Sequence, residues 1–231
     1  ELNYEKKYNK PVDKDEWQMP AQMVNAYYNP TTNEICFPAG FLQPPLFDLN
    51  ADAAANYGSI GVVIGHEMTH GFDDQGRLYT KEGNLSDWWT EADAEGFKKP
   101  CDAMVDYFNS LWVIPGEVHA NGTLCLGENL ADHGGLNIAF NAFQMWQAKH
   151  GRLGDDHGFT PEQRFFLSYA NVWAGSTSPE MLRYLTMMDV HSVMFLRVNG
   201  GLAQCDYWYD AFDIQPGDAL YVAPEKRVKV W

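Results

Sequence analysis

Ile60-Gly61-Val62-Val63-Ile64-Gly65-His66-Glu67-Met68-Thr69-His70 is the stretch on which the reading of this 231-residue chain turns. An apolar run passes without a break into a His-Glu-x-x-His sequence. The pattern predicts a helix over residues 51 to about 72, with Asp52 near its start and Gly71 near its end. Residues four apart share a helix face, so His66 and His70 can present two imidazoles to one metal ion. Glu67 follows His66 by about 100° around the helix. There it can handle a proton on a metal-activated water without itself ligating. The apolar residues before the motif supply a buried helix body, the rigid support that such a site requires. The bland alternative is a surface helix with two incidental histidines.

A catalytic zinc usually takes three protein ligands and leaves a further position for water. Gly127-Glu128-Asn129-Leu130-Ala131-Asp132 offers two carboxylates at helical spacing on a second helix. Glu128 reads as the third ligand. Asp132, one turn on, can hold the far N–H of a ligating histidine, most simply His66, and so fix its tautomer. An exposed pair of helical carboxylates is the alternative. Asp73, three residues past His70, can serve that histidine in the same way or be a plain acid at a helix end. Farther on, Asp189-Val190-His191 is followed by Arg197. Attack on a peptide carbonyl creates a negative oxygen, for which a positioned donor is a large catalytic term. His191 is a candidate donor with Asp189 to orient it, and Arg197 can grip a carbonyl with its planar fork. A satisfied core histidine and a structural arginine are the competing reading.

Around these motifs the chain reads as one domain, mainly helical α+β with a small sheet near its start. Residues 24–28 and 34–37 are β-prone runs joined by Asn29-Pro30-Thr31-Thr32-Asn33, a hairpin signal. Helices are expected over residues 87 to about 111 with Ser86 as cap, over 128–150 despite Gly134 and Gly135, from Pro161 to 173, and from Pro179 onward. Residues 1–20 read as a lead-in, 116–127 as loop, and the tail as turns and short elements. Hydrophobic residues make up 45% and charged residues 20%, the balance of a soluble globular protein. No apolar run reaches membrane-spanning length. A net charge of −15 argues against nucleic acid and anionic membrane surfaces as partners. Cys36, Cys101, Cys125 and Cys205 are widely spaced with no CxxC, which is neither a disulfide framework nor a zinc knuckle.

Taken together, Asn25-Ala26-Tyr27-Tyr28, Phe37-Pro38-Ala39-Gly40 with Leu42-Gln43-Pro44-Pro45, the motif at 66–70, the motif at 127–132, and His191 with Arg197 resemble the neprilysin family of zinc metallopeptidases. The likeness runs over essentially the whole chain to the closing Val230-Trp231. It implies a thermolysin-like (gluzincin) zinc domain, with one Zn2+ held by His66, His70 and Glu128. Glu67 is then the base that assists attack of the metal-activated water, Asp132 supports a ligand, and His191 and Arg197 meet the oxyanion and the substrate carbonyl. Asn25 and Ala26 resemble the positions that hydrogen-bond the substrate backbone, as expected of an extended peptide added to a strand edge. Phe41, Leu46, Val62, Val63, Val172 and Trp173 resemble the apolar pocket for the residue after the cut, although six such residues also suit an ordinary core. The implied activity is hydrolysis of oligopeptides on the amino side of hydrophobic residues. An exopeptidase trimming dipeptides, a peptide-binding module with a structural zinc, and a fragment inactive without its covering domain stand as alternatives.

The sequence also departs from the family pattern. His-Ser-Pro becomes His191-Ser192-Val193, and the tail Val228-Lys229-Val230-Trp231 lacks the cysteine that animal members place before the final Trp. The bridge from that cysteine to the neighbourhood of Cys101 is therefore expected to be absent, and the sequence looks bacterial, either cytoplasmic or exported. Family members are roughly three times longer. Residues 1–231 therefore correspond to the catalytic domain alone, and an upstream helical domain of the same parent protein is the expected partner.

Overall fold

The computed structural model describes residues 2–230, with side-chain surroundings from residue 5. Trp231, the last residue of the resemblance, lies outside them. The short α1 (Leu2–Lys7) leads into a hairpin of β1 (Tyr27–Asn29) and β2 (Glu34–Cys36), paired antiparallel with Tyr28 opposite Ile35. Next come α2 (Ala53–Asn56), a π-helical segment (Tyr57–Gly61) and α3 (Val62–Thr69), which together form the helix expected over 51–72. Asp52 caps its start, its carboxylate accepting from the Ala55 N–H at 2.8 Å. The π segment is imposed by its surroundings. Gly58 lies so close to the Phe165 carbonyl that a Cβ has no room, and the Ser59 hydroxyl donates to the Leu46 carbonyl at 2.7 Å.

α4 (Glu91–Asn109) starts later than Ser86, with Thr90 as its cap. The reason is that the Ser86 N–H donates to the Leu78 carbonyl, and Tyr79 bridges Leu85, so this stretch is already committed to a turn. A second hairpin, β3 (Trp112–Ile114) with β4 (Val118–His119), replaces part of the loop expected over 116–127. It turns at Gly116, whose φ of +75° suits glycine. α5 (Leu126–His150) is a single long helix, followed by α6 (Pro161–Val172) and α7 (Pro179–Met188). Two helices that the sequence did not single out follow, α8 (Met194–Leu202) and α9 (Asp206–Phe212), and the tail beyond them is turns with a short 3-10 segment (Pro224–Lys226), as expected. The result is a mainly helical chain with two small antiparallel sheets. Among the described residues no helix is long and apolar enough to cross a membrane.

α5 is the axis of the fold. Its Leu136, Phe140 and Phe143 pack with Phe165, Phe166 and Tyr169 of α6 and Trp208 of α9 in the main core. α3 crosses it at three glycines. A Cβ on Gly65 would lie 2.9 Å from the Gly135 Cα, one on Gly135 would lie 2.5 Å from the Val62 carbonyl, and one on Gly134 would strike the Thr69 side chain. Each glycine inside a helix costs about 1 kcal/mol relative to alanine, and here that cost brings two backbones together. The crossing sets His66 and His70 opposite Glu128 and Asp132.

Candidate metal centre and active site

The site is built on α3, the turn after it, α5 and the loop between α7 and α8. His66 is buried and His70 half-buried, one turn apart on α3, with their Nε2 atoms 3.0 Å from each other. Each ring is held from behind. His66 Nδ1 lies 2.8 Å from Asp132 Oδ1, and His70 Nδ1 lies 2.7 Å from Asp73 Oδ2. With both Nδ1–H groups donating to carboxylates, the Nε2 lone pairs are the ring atoms that turn towards the centre. Glu128, in the first turn of α5, sets Oε2 3.3 Å from His66 Nε2 and Oε1 3.7 Å from His70 Nε2. Its approach needs Gly127, where a Cβ would sit 3.0 Å from Asp74 Oδ1 and 3.3 Å from Asp73 Oδ2.

This donor set fits a divalent cation. Two lone pairs 3.0 Å apart repel unless a positive charge lies between them. Glu128 Oε2 is buried and has no hydrogen bond of good geometry among the described residues. All three ligand atoms lie within 4.8 Å of one another. A tetrahedral zinc about 2.1 Å from each donor needs donor separations of about 3.4 Å. Among the described residues this is the one group of three potential ligands so arranged. The protonation equilibria show the same pull on positive charge, which the metal-free chain meets with a proton on His66. Burial alone would push His66 down, but Asp132 and Glu128 outweigh it and raise it to about 9. Burial likewise works to raise Glu128, yet the histidines around it win and lower it.

Glu67 is buried beside the ligands, and burial raises its carboxyl above the ordinary glutamate range, against the pull of His66 and His70. Arg197 is also buried. Its Nε and Nη2 donate to the two Asp132 oxygens at 2.7 and 2.6 Å, and its guanidinium stacks 3.8 Å above the Trp173 ring. Its Nη1 makes no hydrogen bond among the described residues, and it lines the cleft. Burial opposes the charge on both partners, but the pairing prevails, raising Arg197 and holding Asp132 well below the carboxylate range. His191 is half exposed with Nδ1 2.8 Å from Asp189 Oδ1, which turns Nε2 towards Glu128 Oε2 at 3.2 Å.

These residues line a cleft of about 740 Å³. One wall is the hairpin lead, where Asn25 is exposed and Ala26 buried, the Ala26 N–H donating to the Asn25 side chain at 3.0 Å. Phe41, Leu46, Val62, Val63, Val172 and Trp173 all border it. Phe41, Leu46, Val63 and Val172 form one apolar cluster with Ala26, while Val62 and Trp173 belong to the main core. Sequence reasoning did not single out Tyr169, whose hydroxyl donates to the Arg197 carbonyl at 3.1 Å, or the glycines that permit the close approaches. The Gly-Gly pair inside α5 was the available signal. All four cysteines are free, with Cys36 partly exposed and the others buried.

Residues 25–228 match the family described as peptidase family M13. The chain belongs to that family. This M13 chain is 44% identical to human neprilysin over 229 residues, covering 98% of itself and 30% of that protein. It is 42% identical to human endothelin-converting enzyme 1, covering 96% of itself and 29% of that protein. The Mycobacterium tuberculosis zinc metalloprotease Zmp1, solved with an inhibitor, superposes with a TM-score of 0.91 at 45% identity, over 96% of this chain and 35% of that one. The structure of PepO from Lactobacillus rhamnosis HN001 gives 0.85 at 40% identity, over 95% and 33%. The M13 chain thus spans about a third of the length of the relatives it matches.

Proposed function

We propose that this chain is the zinc-bearing catalytic domain of a longer peptidase and that it hydrolyses peptide bonds in oligopeptides. The carrying observation is the convergence of two carboxylate-backed imidazole nitrogens and the Glu128 carboxylate, with Glu67 buried beside them. A thermolysin-like arrangement follows from the same reading, with residues 1–231 as one domain and an upstream helical region of the parent protein as its cover. His66, His70 and Glu128 hold the metal, while Asp132 and Asp73 fix the two rings. Zinc, when bound, lowers the pKa of water towards ~7 and polarises a carbonyl.

This chain's own residues do the rest. Glu67, its basicity raised by burial, takes the proton from the attacking water and passes it to the leaving amine. His191 in its doubly protonated form, Nδ1–H on Asp189 and Nε2–H turned inward, and the unpaired Nη1 of Arg197 donate to the oxygen that becomes negative. Asn25 and the Ala26 backbone bind the extended substrate as an added strand. The apolar wall of Phe41, Leu46, Val63 and Val172, with Val62 and Trp173, takes a hydrophobic side chain after the cut. Cleavage is therefore expected on the amino side of hydrophobic residues. The test is hydrolysis of an internally quenched peptide with Phe or Leu after the cut, with and without chelator. Wild type should cleave only with metal, and Glu67→Gln should keep zinc but lose about 10²–10⁴-fold in rate. A fully active Glu67→Gln would remove Glu67 as the base.

A further inference from the structure

We propose that Ser192 and Asn129 are positioning residues that fix His191 against the metal ligands, an inference that rests on the peptidase reading above. Besides the approach of His191 to Glu128 itself, the segment from Asp189 to Arg197 meets α5 and its N-cap through three contacts, and the residues involved, Cys125, Asn129 and Asp132, fall at i, i+4 and i+7. The first is the Cys125 Sγ against the Asp189 carbonyl at 3.7 Å, the second the Ser192 hydroxyl donating to Asn129 Oδ1 at 2.7 Å, and the third the Arg197–Asp132 pair. Asp189 orients the His191 ring, but Asp189 sits on the same loop, so that bond cannot set the ring's distance from Glu128. A thiol is a weak donor, and Arg197 lies beyond the start of α8. The bond from Ser192 is therefore the strong link nearest His191.

Asn129 is a buried polar residue of α5. It is 3% exposed, yet its Nδ2 has no hydrogen-bond partner, and its side chain's one hydrogen bond among the described residues is the one from Ser192. A buried amide left half satisfied is costly. Its single bond runs from the residue next to the Glu128 ligand to the residue next to His191. Val193 then anchors the far side of the loop in an apolar cluster with Val113 and Leu196.

The experiment compares Ser192→Ala, Asn129→Leu, their double variant and Ser192→Thr with wild type. Readouts are zinc content, thermal unfolding, kcat and KM on the quenched peptide, and the imidazole NMR spectrum of the metal-free chain. Each single variant should keep zinc and lose about tenfold in kcat, with KM within about twofold. The double variant should lose no more than the worse single, and Ser192→Thr should recover to within about threefold. The His191 imidazole signals should move in Ser192→Ala while those of His133 stay. Wild-type kcat in Ser192→Ala, losses that multiply in the double variant, or unmoved His191 signals would each overturn the proposal. Asn129→Leu removes the same bond from the other side should the alanine variant fail to fold. A chain that binds zinc and cleaves nothing, alone or within its longer parent, would instead sink the peptidase reading, and the NMR comparison would still decide the positioning one.

Discussion

Replacing Asp132 by asparagine keeps the side chain's shape and removes its charge. In the structure that charge is shared by two partners. Arg197 gives it two hydrogen bonds at 2.7 and 2.6 Å, and His66 a third contact at 2.8 Å. Asp132 and Arg197 are 4% and 8% exposed, so the pair is desolvated and little screened by water or salt. Removing one member of a buried pair strands the other, at a cost of about 3–5 kcal/mol. An amide also accepts less strongly from the His66 ring, which predicts a 10–100-fold loss of metal affinity. Guanidinium unfolding of the metal-free chain reads the first figure, and zinc competition with a chromophoric chelator reads the second. Asp132 is held below its unfolded value of about 3.9. Its contribution is therefore present above that pH and lost below it, so the gap between variant and wild type should close in acid. A loss under about 1 kcal/mol at neutral pH with an unchanged denaturant slope would refute the claim that this pair is buried and uncompensated.

Three further outcomes follow from other parts of the molecule. Gly135→Ala puts a methyl 2.5 Å from the Val62 carbonyl and 2.8 Å from the His66 nitrogen. It should cost about 1–3 kcal/mol by forcing α3 from α5, and it should weaken zinc binding although residue 135 ligates nothing; unchanged affinity would contradict the crossing as the site's frame. Burial lowers His133 from 6.5 to about 4. The unfolded chain takes up that proton first, so stability is complete above about pH 6.5 and falls by about 3 kcal/mol down to pH 4. In unfolding titrations His133→Leu should lack that component, and parallel curves would dismiss it. Saturation with zinc at a thousand times its Kd should raise the unfolding free energy by about 4 kcal/mol, reversed by chelator. An unshifted midpoint in a calorimetric scan would argue against a site formed only in the folded chain.

The convergence of His66, His70 and Glu128 was legible because their chemistry coincides with helix periodicity. His66 and His70, and Glu128 and Asp132, stand at a spacing that any α-helix converts into a shared face. The support from Asp73 and Asp189 was legible for a similar reason, since each lies within three residues of its histidine. Features decided by contacts between distant segments were not. Ser192 and Asn129 meet 63 positions apart, and nothing local in either segment announces it. The later start of α4 depends on Ser86 being engaged by Leu78. β3, β4, α8 and α9 are short, and packing rather than propensity decides such elements. Gly134 and Gly135 were visible as an anomaly inside a helix, but their meaning needed the partner backbone.

The π-helical segment at Tyr57–Gly61 gives the site a dependence that no single side chain carries. Such a turn is about one residue wider than the α-helical turn it replaces, so an unbroken α-helix over the same residues would carry everything downstream about 100° further round. α2 is set on one side by Asp52, paired with Arg164 of α6. α3 must show its histidines to Glu128. The extra residue is the phase offset that reconciles the two. Drawn through an unbroken α-helix instead, the same residues would keep their order along the chain and yet turn His66 and His70 away from Glu128. The convergence of these side chains is written partly in residue types and partly in a length.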